Sequence, residues 1–182
     1  MFENNDRPGE ITRNYGNCLE NIFKNRTSSV TLKIRIFQAL VESIFLYNSE
    51  CWGLNKVQEQ RINITQRQFL RRILGIRWHK NNWISNENLY ERTEQQKWST
   101  KIAHRRFRFF GYVARLPENA PAKPALYESI RKTKKPKGKP QTILINVIKR
   151  QLKELNILCF SDAIEIAQNR DTWRKLIAGQ AD

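Results

Sequence analysis

Between Ser29 and Glu50 the apolar side chains recur at steps of four and three: Val30, Ile34, Phe37, Val41 and Ile44. Ile36, Leu40 and Tyr47 widen that stripe. The period is helical and the apolar face is broad, so residues 29–50 are predicted to form a central, mostly buried helix, capped by Ser28 or Ser29. A second helix is expected from Asn55, as N-cap, to Leu74, with Gly75 placed to stop it. Its apolar side is Ile62, Phe69, Leu70 and Ile73, and Arg67, Arg71 and Arg72 fall on or beside the other side. Segment 85–93 opens with a cap-like Ser85 or Asn86 and reads as a short helix. A third strong helix is predicted over 97–116. Its core stripe is Trp98, Ile102, Phe109, Val113 and Leu116, and a second stripe beside it holds Lys101, Arg105, Arg108, Tyr112 and Arg115. Arg106 sits closer to the apolar side. Pro117 ends this region, and the three prolines of 117–124 make a connector. The apolar period resumes with Ile143 or Leu144, then Val147, Ile148, Leu152 and Leu155. Ser161 opens a last helix, Asp162–Ala178, with Ile164, Ala167, Trp173 and Ile177 inward and Gly179 at its stop. No hairpin signal and no repeat interrupts this pattern.

The expected fold class is therefore all-α. Five parts are expected in order: a flexible lead-in over 1–9, a helical part over 10–95, a basic helix with its connector over 97–130, a basic flexible loop over 131–140, and C-terminal helices over 141–178. A hydrophobic fraction of 40% is enough for a core.

Charge changes the picture more than composition does. The net charge is +16, and it sits in two blocks. Residues 61–115 carry thirteen Lys/Arg against three Glu, and residues 131–153 carry nine Lys/Arg and no acid. The first sixty residues balance at seven against seven. Charge this localised suits a polyanion, because each phosphate contact releases condensed counterions. The candidate contacts are Arg67, Arg71, Arg72 and Arg77 around the second helix, and Lys101, Arg105, Arg106, Arg108 and Arg115 on the third. Like charges one turn apart disfavour a helix unless something neutralises them. Tyr112, inside that stripe, would either stack on a base or sugar or cap the edge of the core. Lys134, Lys135, Lys137 and Lys139 lie in 131–140, which has no apolar residue and would bind phosphate loosely or serve as a nuclear address. The five tryptophans suit core positions better than ligand platforms.

Several chemistries are excluded. Asp occurs only at positions 6, 162, 171 and 182, so the clustered carboxylates of two-metal phosphoryl transfer are absent. There is no Walker-type phosphate loop and no serine elbow. Cys18, Cys51 and Cys159 are odd in number and far apart, and His79 and His104 are not spaced as metal ligands, so neither a disulfide framework nor a zinc site is expected. No apolar run approaches a bilayer span, and no secretory signal is visible. No cofactor is expected in this chain, and no polymerase or nuclease activity is expected from it alone.

Six stretches occur in one order: LYNSECW (46–52), QRQFLRRILGIRW (66–78), ISNENLYERT (84–93), RRFRFFGYVARL (105–116), KKPKGKPQT (134–142) and NRDTWRKLI (169–177). Together they resemble the C-terminal, thumb and post-thumb, region of the endonuclease–reverse transcriptase of LINE-type non-LTR retrotransposons, over roughly residues 12–178. The resemblance implies a helical element that grips a template–primer duplex behind an RNA-directed DNA polymerase site. The catalytic aspartates, and the Mg they bind in the full-length enzyme, would belong to an upstream domain. The partner implied is RNA, RNA–DNA hybrid or DNA, at an intracellular and nuclear or nucleocytoplasmic location. The chain departs from the family's boxes at Asn48, where glycine is usual, at Tyr112, where histidine follows Gly111, at Lys139 and Gln141, and at Leu144, where tryptophan is common. Two other readings stand beside this one: a protein-interaction module docking an acidic partner, and a non-functional transposon relic.

Overall fold

A computed structural model of the protein describes residues 19–25, 27–76, 84–125 and 144–178. Among the described residues every regular element is helical and there is no strand, so the protein is all-α. In chain order the helices are α1 (Glu20–Lys24), α2 (Val30–Phe37, running on through Gln38–Glu42 to Ser43–Phe45), α3 (Lys56–Ile73), α4 (Asn86–Thr93), α5 (Trp98–Ala114), α6 (Leu144–Glu154), α7 (Phe160–Gln168) and α8 (Arg170–Ala178). They fall into two compact units. The first holds the chain up to Tyr47 together with Gln60–Trp98. The second holds Asn48–Glu59 and the chain from Ser99 onward.

The first unit is built around aromatic rings. Phe37 stacks on Trp98 at 5.8 Å and tilts against Phe69 at 5.6 Å, and Phe45 stacks on Trp98 at 4.2 Å. Gln66, fully buried, completes this core with polar contacts. Its Oε1 accepts from the Trp98 backbone N at 2.8 Å, and its Nε2 donates to Gln96 O at 2.8 Å. Lys33 Nζ donates to Phe23 O at 2.8 Å and so satisfies a carbonyl near the C-terminus of α1.

Local signals set the helix ends. Ser29 Oγ accepts from Leu32 N and caps α2. At α3 the capping is reciprocal: Asn55 Oδ1 accepts from Gln58 N at 2.8 Å, and Asn55 N donates to Gln58 Oε1 at 2.9 Å. Gly75 ends α3 at φ +68° while Ile76 N donates back to Arg71 O, a left-handed stop that glycine adopts without strain.

Three helix expectations need correction. The helix predicted over 29–50 is helical to Phe45, but Gln38–Glu42 form a π-turn. A π-turn takes one residue more per turn, which moves the inward face forward. Phe45 and Leu46 are buried as a result, and Ile44, Leu40 and Tyr47, expected inward, are exposed, Tyr47 at 80%. The chain then turns at Asn48, which sits in the left-handed region at φ +55°. In α5 Trp98, Ile102 and Val113 are buried as expected, but Phe107, Phe110 and Ala114 join them, whereas Phe109 is 39% exposed. The buried face is thus wider than the expected stripe and extends on the side away from Phe109. The C-terminal helix is two helices. Asn169 is extended at the break, and its Oδ1 accepts from Asp171 N and Thr172 N, capping α8 in place of continuing α7. Ser161, expected to open this stretch, lies inside α7, which begins at Phe160. Gly179 lies outside the described residues.

The second unit packs α5 against α6, α7 and α8 through Phe107, Phe110, Ile148, Leu152, Ala163, Ala167, Trp173 and Ile177. Trp173 meets Phe107 edge-on at 6.1 Å, and its Nε1 donates to Phe107 O at 3.0 Å.

Candidate functional site

The basic residues of α3 belong to the first unit. Arg67 is half-buried and hydrogen-bonds Tyr90, whose hydroxyl also donates to Gln66 Oε1 at 3.3 Å. Burial raises the Tyr90 phenol above its ordinary value, and Arg67 pulls the other way. Arg71 Nη2 donates to Asn86 Oδ1 at 2.9 Å, tying α3 to α4. Arg72 is exposed, with its guanidinium 5.9 Å from the Phe69 ring centroid. Two of these three guanidinium groups therefore hold the unit together, and Arg72 faces outward. Arg77 lies outside the described residues, as do Lys134, Lys135, Lys137 and Lys139.

The stripe on α5 belongs to the second unit and is more open. Arg105, Arg108 and Tyr112 are exposed, and Lys101 and Arg115 are half-buried. Arg105, Arg108 and Tyr112 thus face away from the buried side of α5, and Arg115 lies at its edge. Arg115 is held in place: its Nη1 donates to Ala167 O at 2.7 Å, where a cation meets the carbonyl end of α7. Gln168 Nε2 donates to Ala114 O at 3.1 Å, so the two helix ends satisfy each other's carbonyls.

That stitch brings α8 to the end of the stripe. Burial first, and the like charges of Arg170 and Arg174 after it, lower the Arg115 guanidinium from its ordinary value, so these two exposed arginines, one turn apart, lie near it. Sequence reasoning missed these two. The acidic residues of 154–182 hide them in any average, yet the i, i+4 spacing after a capping asparagine was a signal. The assembled face thus joins Arg105, Arg108, Tyr112 and Arg115 of α5 to Arg170 and Arg174 of α8.

Arg106 does not belong to this face, which corrects its expected role in phosphate binding. It is 1% exposed. Its Nη1 donates to Gln151 Oε1 and its Nη2 to Trp52 O, both at 2.8 Å. Burial pushes its guanidinium down to about 10, Glu59 opposing that shift and Arg150 adding to it. Phosphate outside the unit cannot reach a group so enclosed.

His104 is half-buried beside the stripe. Burial first, and Arg108 second, lower its imidazolium below the usual value. A group whose folded value lies below its unfolded value is stabilising in its neutral form and loses that contribution as pH falls through the folded value. The melting temperature should therefore fall as pH is lowered from 7 to 5, and His104→Gln should flatten that dependence. A His104→Gln variant with the same pH dependence as the parent would contradict this.

Among the described residues no group of three or more His, Cys, Asp or Glu could hold a metal ion, and no helix is long and apolar enough to cross a membrane. Cys51 and Cys159 are exposed thiols, and a hydrogen bond with Ser161 lowers Cys159 from its ordinary value.

The chain is similar to a transposon-derived protein of Caenorhabditis elegans, with 36% identity over 56 residues, covering 29% of this chain and 20% of that protein. The chain thus spans about a fifth of the length of this curated relative. No protein-family model matches the chain. No solved structure matches it.

Proposed function

We propose that this chain is a transposon-derived segment that binds nucleic acid through the phosphate backbone, using the cationic face of α5 and α8. The observation that carries the reading is the face itself. Five arginines and Tyr112, from two helices of one unit, gather outside its core, with Lys101 counted apart. Like charges drawn together repel. An anion with several phosphates relieves that repulsion at once and gains counterion release.

The finer reading is a thumb and post-thumb piece of a LINE-type reverse transcriptase. Its support is the six ordered boxes and the similarity to a transposon-derived protein. The departure at position 48 is conformationally mild, because Asn48 adopts the left-handed backbone that glycine favours and asparagine tolerates. In that reading, polymerase carboxylates and their Mg belong to an upstream domain, and the site of action is nuclear or nucleocytoplasmic.

The test is binding across salt. Log K against log salt should fall with a slope near −0.9 for each phosphate contacted on duplex DNA, and Arg105→Gln/Arg108→Gln should make it shallower by about 1.8. A flat plot for the unaltered chain would defeat the proposal.

A further inference from the structure

Phe109 and Tyr112 lie three residues apart on α5, on adjacent turns, and both rings reach solvent, at 39% and 59% exposure. Arg105 and Arg108, both exposed, precede them by one turn, and Arg115 follows Tyr112 by three residues. The core side of the same helix is already filled by Phe107 and Phe110, each no more than 1% exposed. Tyr112 is therefore mostly open to solvent and Phe109 partly so, and both sit among cations.

We propose that Phe109 and Tyr112 form a stacking platform for unpaired bases, so that this face takes single-stranded nucleic acid in preference to duplex. The inference rests on the backbone-binding reading above and deepens it. In a duplex each base is covered on both faces by its neighbours, and a protein surface meets only phosphates, sugars and groove edges. A ring standing on a helix surface meets a base face only where the strand is unpaired. The two residues rise about 4.5 Å apart along the helix axis, close to the spacing over which consecutive splayed bases can be received. The guanidinium groups on either side are placed for the phosphates linking those bases. Arginine also stacks well, so Arg108 extends the same surface. A face built only to hold a duplex backbone has no use for two exposed aromatic rings between its cations.

The experiment uses the intact 182-residue chain and one labelled oligonucleotide, presented as a single strand and again annealed to its complement, across a salt series. The single strand should bind about tenfold more tightly than the duplex at equal salt. Tyr112→Ala and Phe109→Ala should each weaken single-strand binding about tenfold and duplex binding by a much smaller factor. Tyr112→Phe should keep the preference. Tyr112 is mostly exposed, so Tyr112→Ala should keep the parent's circular dichroism and melting profile, and Phe109→Ala is judged on its ratio of single-strand to duplex affinity. If duplex binds as tightly as single strand, or if both alanine variants keep full single-strand affinity while the salt slope persists, the stacking platform is wrong and the backbone reading stands. If neither form binds with a salt slope, both fall.

Discussion

Replacing Trp173 with alanine is expected to destabilise the second unit by about 3–5 kcal/mol, the range for a fully buried tryptophan. Trp173 is 1% exposed, packs against Phe107 and Phe110 with centroids at 6.1 and 5.5 Å, and gives its indole N–H to Phe107 O. Alanine removes the rings' contacts and the partner of that carbonyl together. The same indole explains why position 111 is glycine. A Cβ placed on Gly111 would run into the Trp173 ring at Nε1 and Cδ1. In an open helix Gly→Ala is favourable by about 1 kcal/mol. Here Gly111→Ala should instead cost about 1–3 kcal/mol, because the ring has to move. The two effects should couple. In the Trp173→Ala background the new methyl group enters vacated space, and Gly111→Ala should become neutral or stabilising. Denaturant unfolding of the four proteins of this cycle measures the coupling. Additive costs would mean that Gly111 and Trp173 do not constrain each other.

Glu59→Gln is expected to cost about 1–3 kcal/mol, because the Glu59–Arg150 pair keeps side-chain exposures of 21% and 29%, and Arg106→Met/Gln151→Leu to stay within about 1 kcal/mol of the parent. Glu59 Oε1 accepts from Arg150 Nη2 at 2.6 Å, and Glu59 also offsets the desolvation of Arg106. Arg106 Nε and Arg150 Nε are buried with no hydrogen-bond partner among the described residues. Removing the carboxylate leaves two guanidinium groups facing each other with less compensation. Removing Arg106 and its Gln151 partner together takes away a buried cation and one of its acceptors, leaving only Trp52 O to be satisfied. The Arg106 penalty is present in full below pH about 10 and is relieved only as pH rises beyond that value. Thermal melts at neutral pH order the two variants. The same double variant should bind nucleic acid with the parent's salt slope, because Arg106 never faces the ligand. A shallower slope would return it to the interface.

Among the described residues, three positions in the stretches 66–78 and 105–116 serve the fold. Gly75 makes a left-handed helix stop, Gly111 yields space to Trp173, and Gln66 anchors the start of α5. The arginines that would touch a ligand lie between those positions, and only exposure separates them from the arginines that do not.

The helical class and most helix ends are legible along the chain. Those depend on local chemistry: a serine or asparagine oxygen on a free N–H, a glycine at positive φ, an apolar period near 3.6. The extent of the helix faces depends on long-range packing. A π-turn in α2 shifted one face forward, and packing on α6, α7 and α8 widened the buried side of α5 away from Phe109. Position along a helix is a local property, but which side is buried depends on what packs there. Arg105 and Arg106 are neighbours in the chain, one exposed and the other enclosed by Gln151 and Trp52. Arg170 and Arg174 join the cationic face because Arg115 and Gln168 stitch two helix ends together, a meeting of residues more than fifty positions apart that no local pattern encodes.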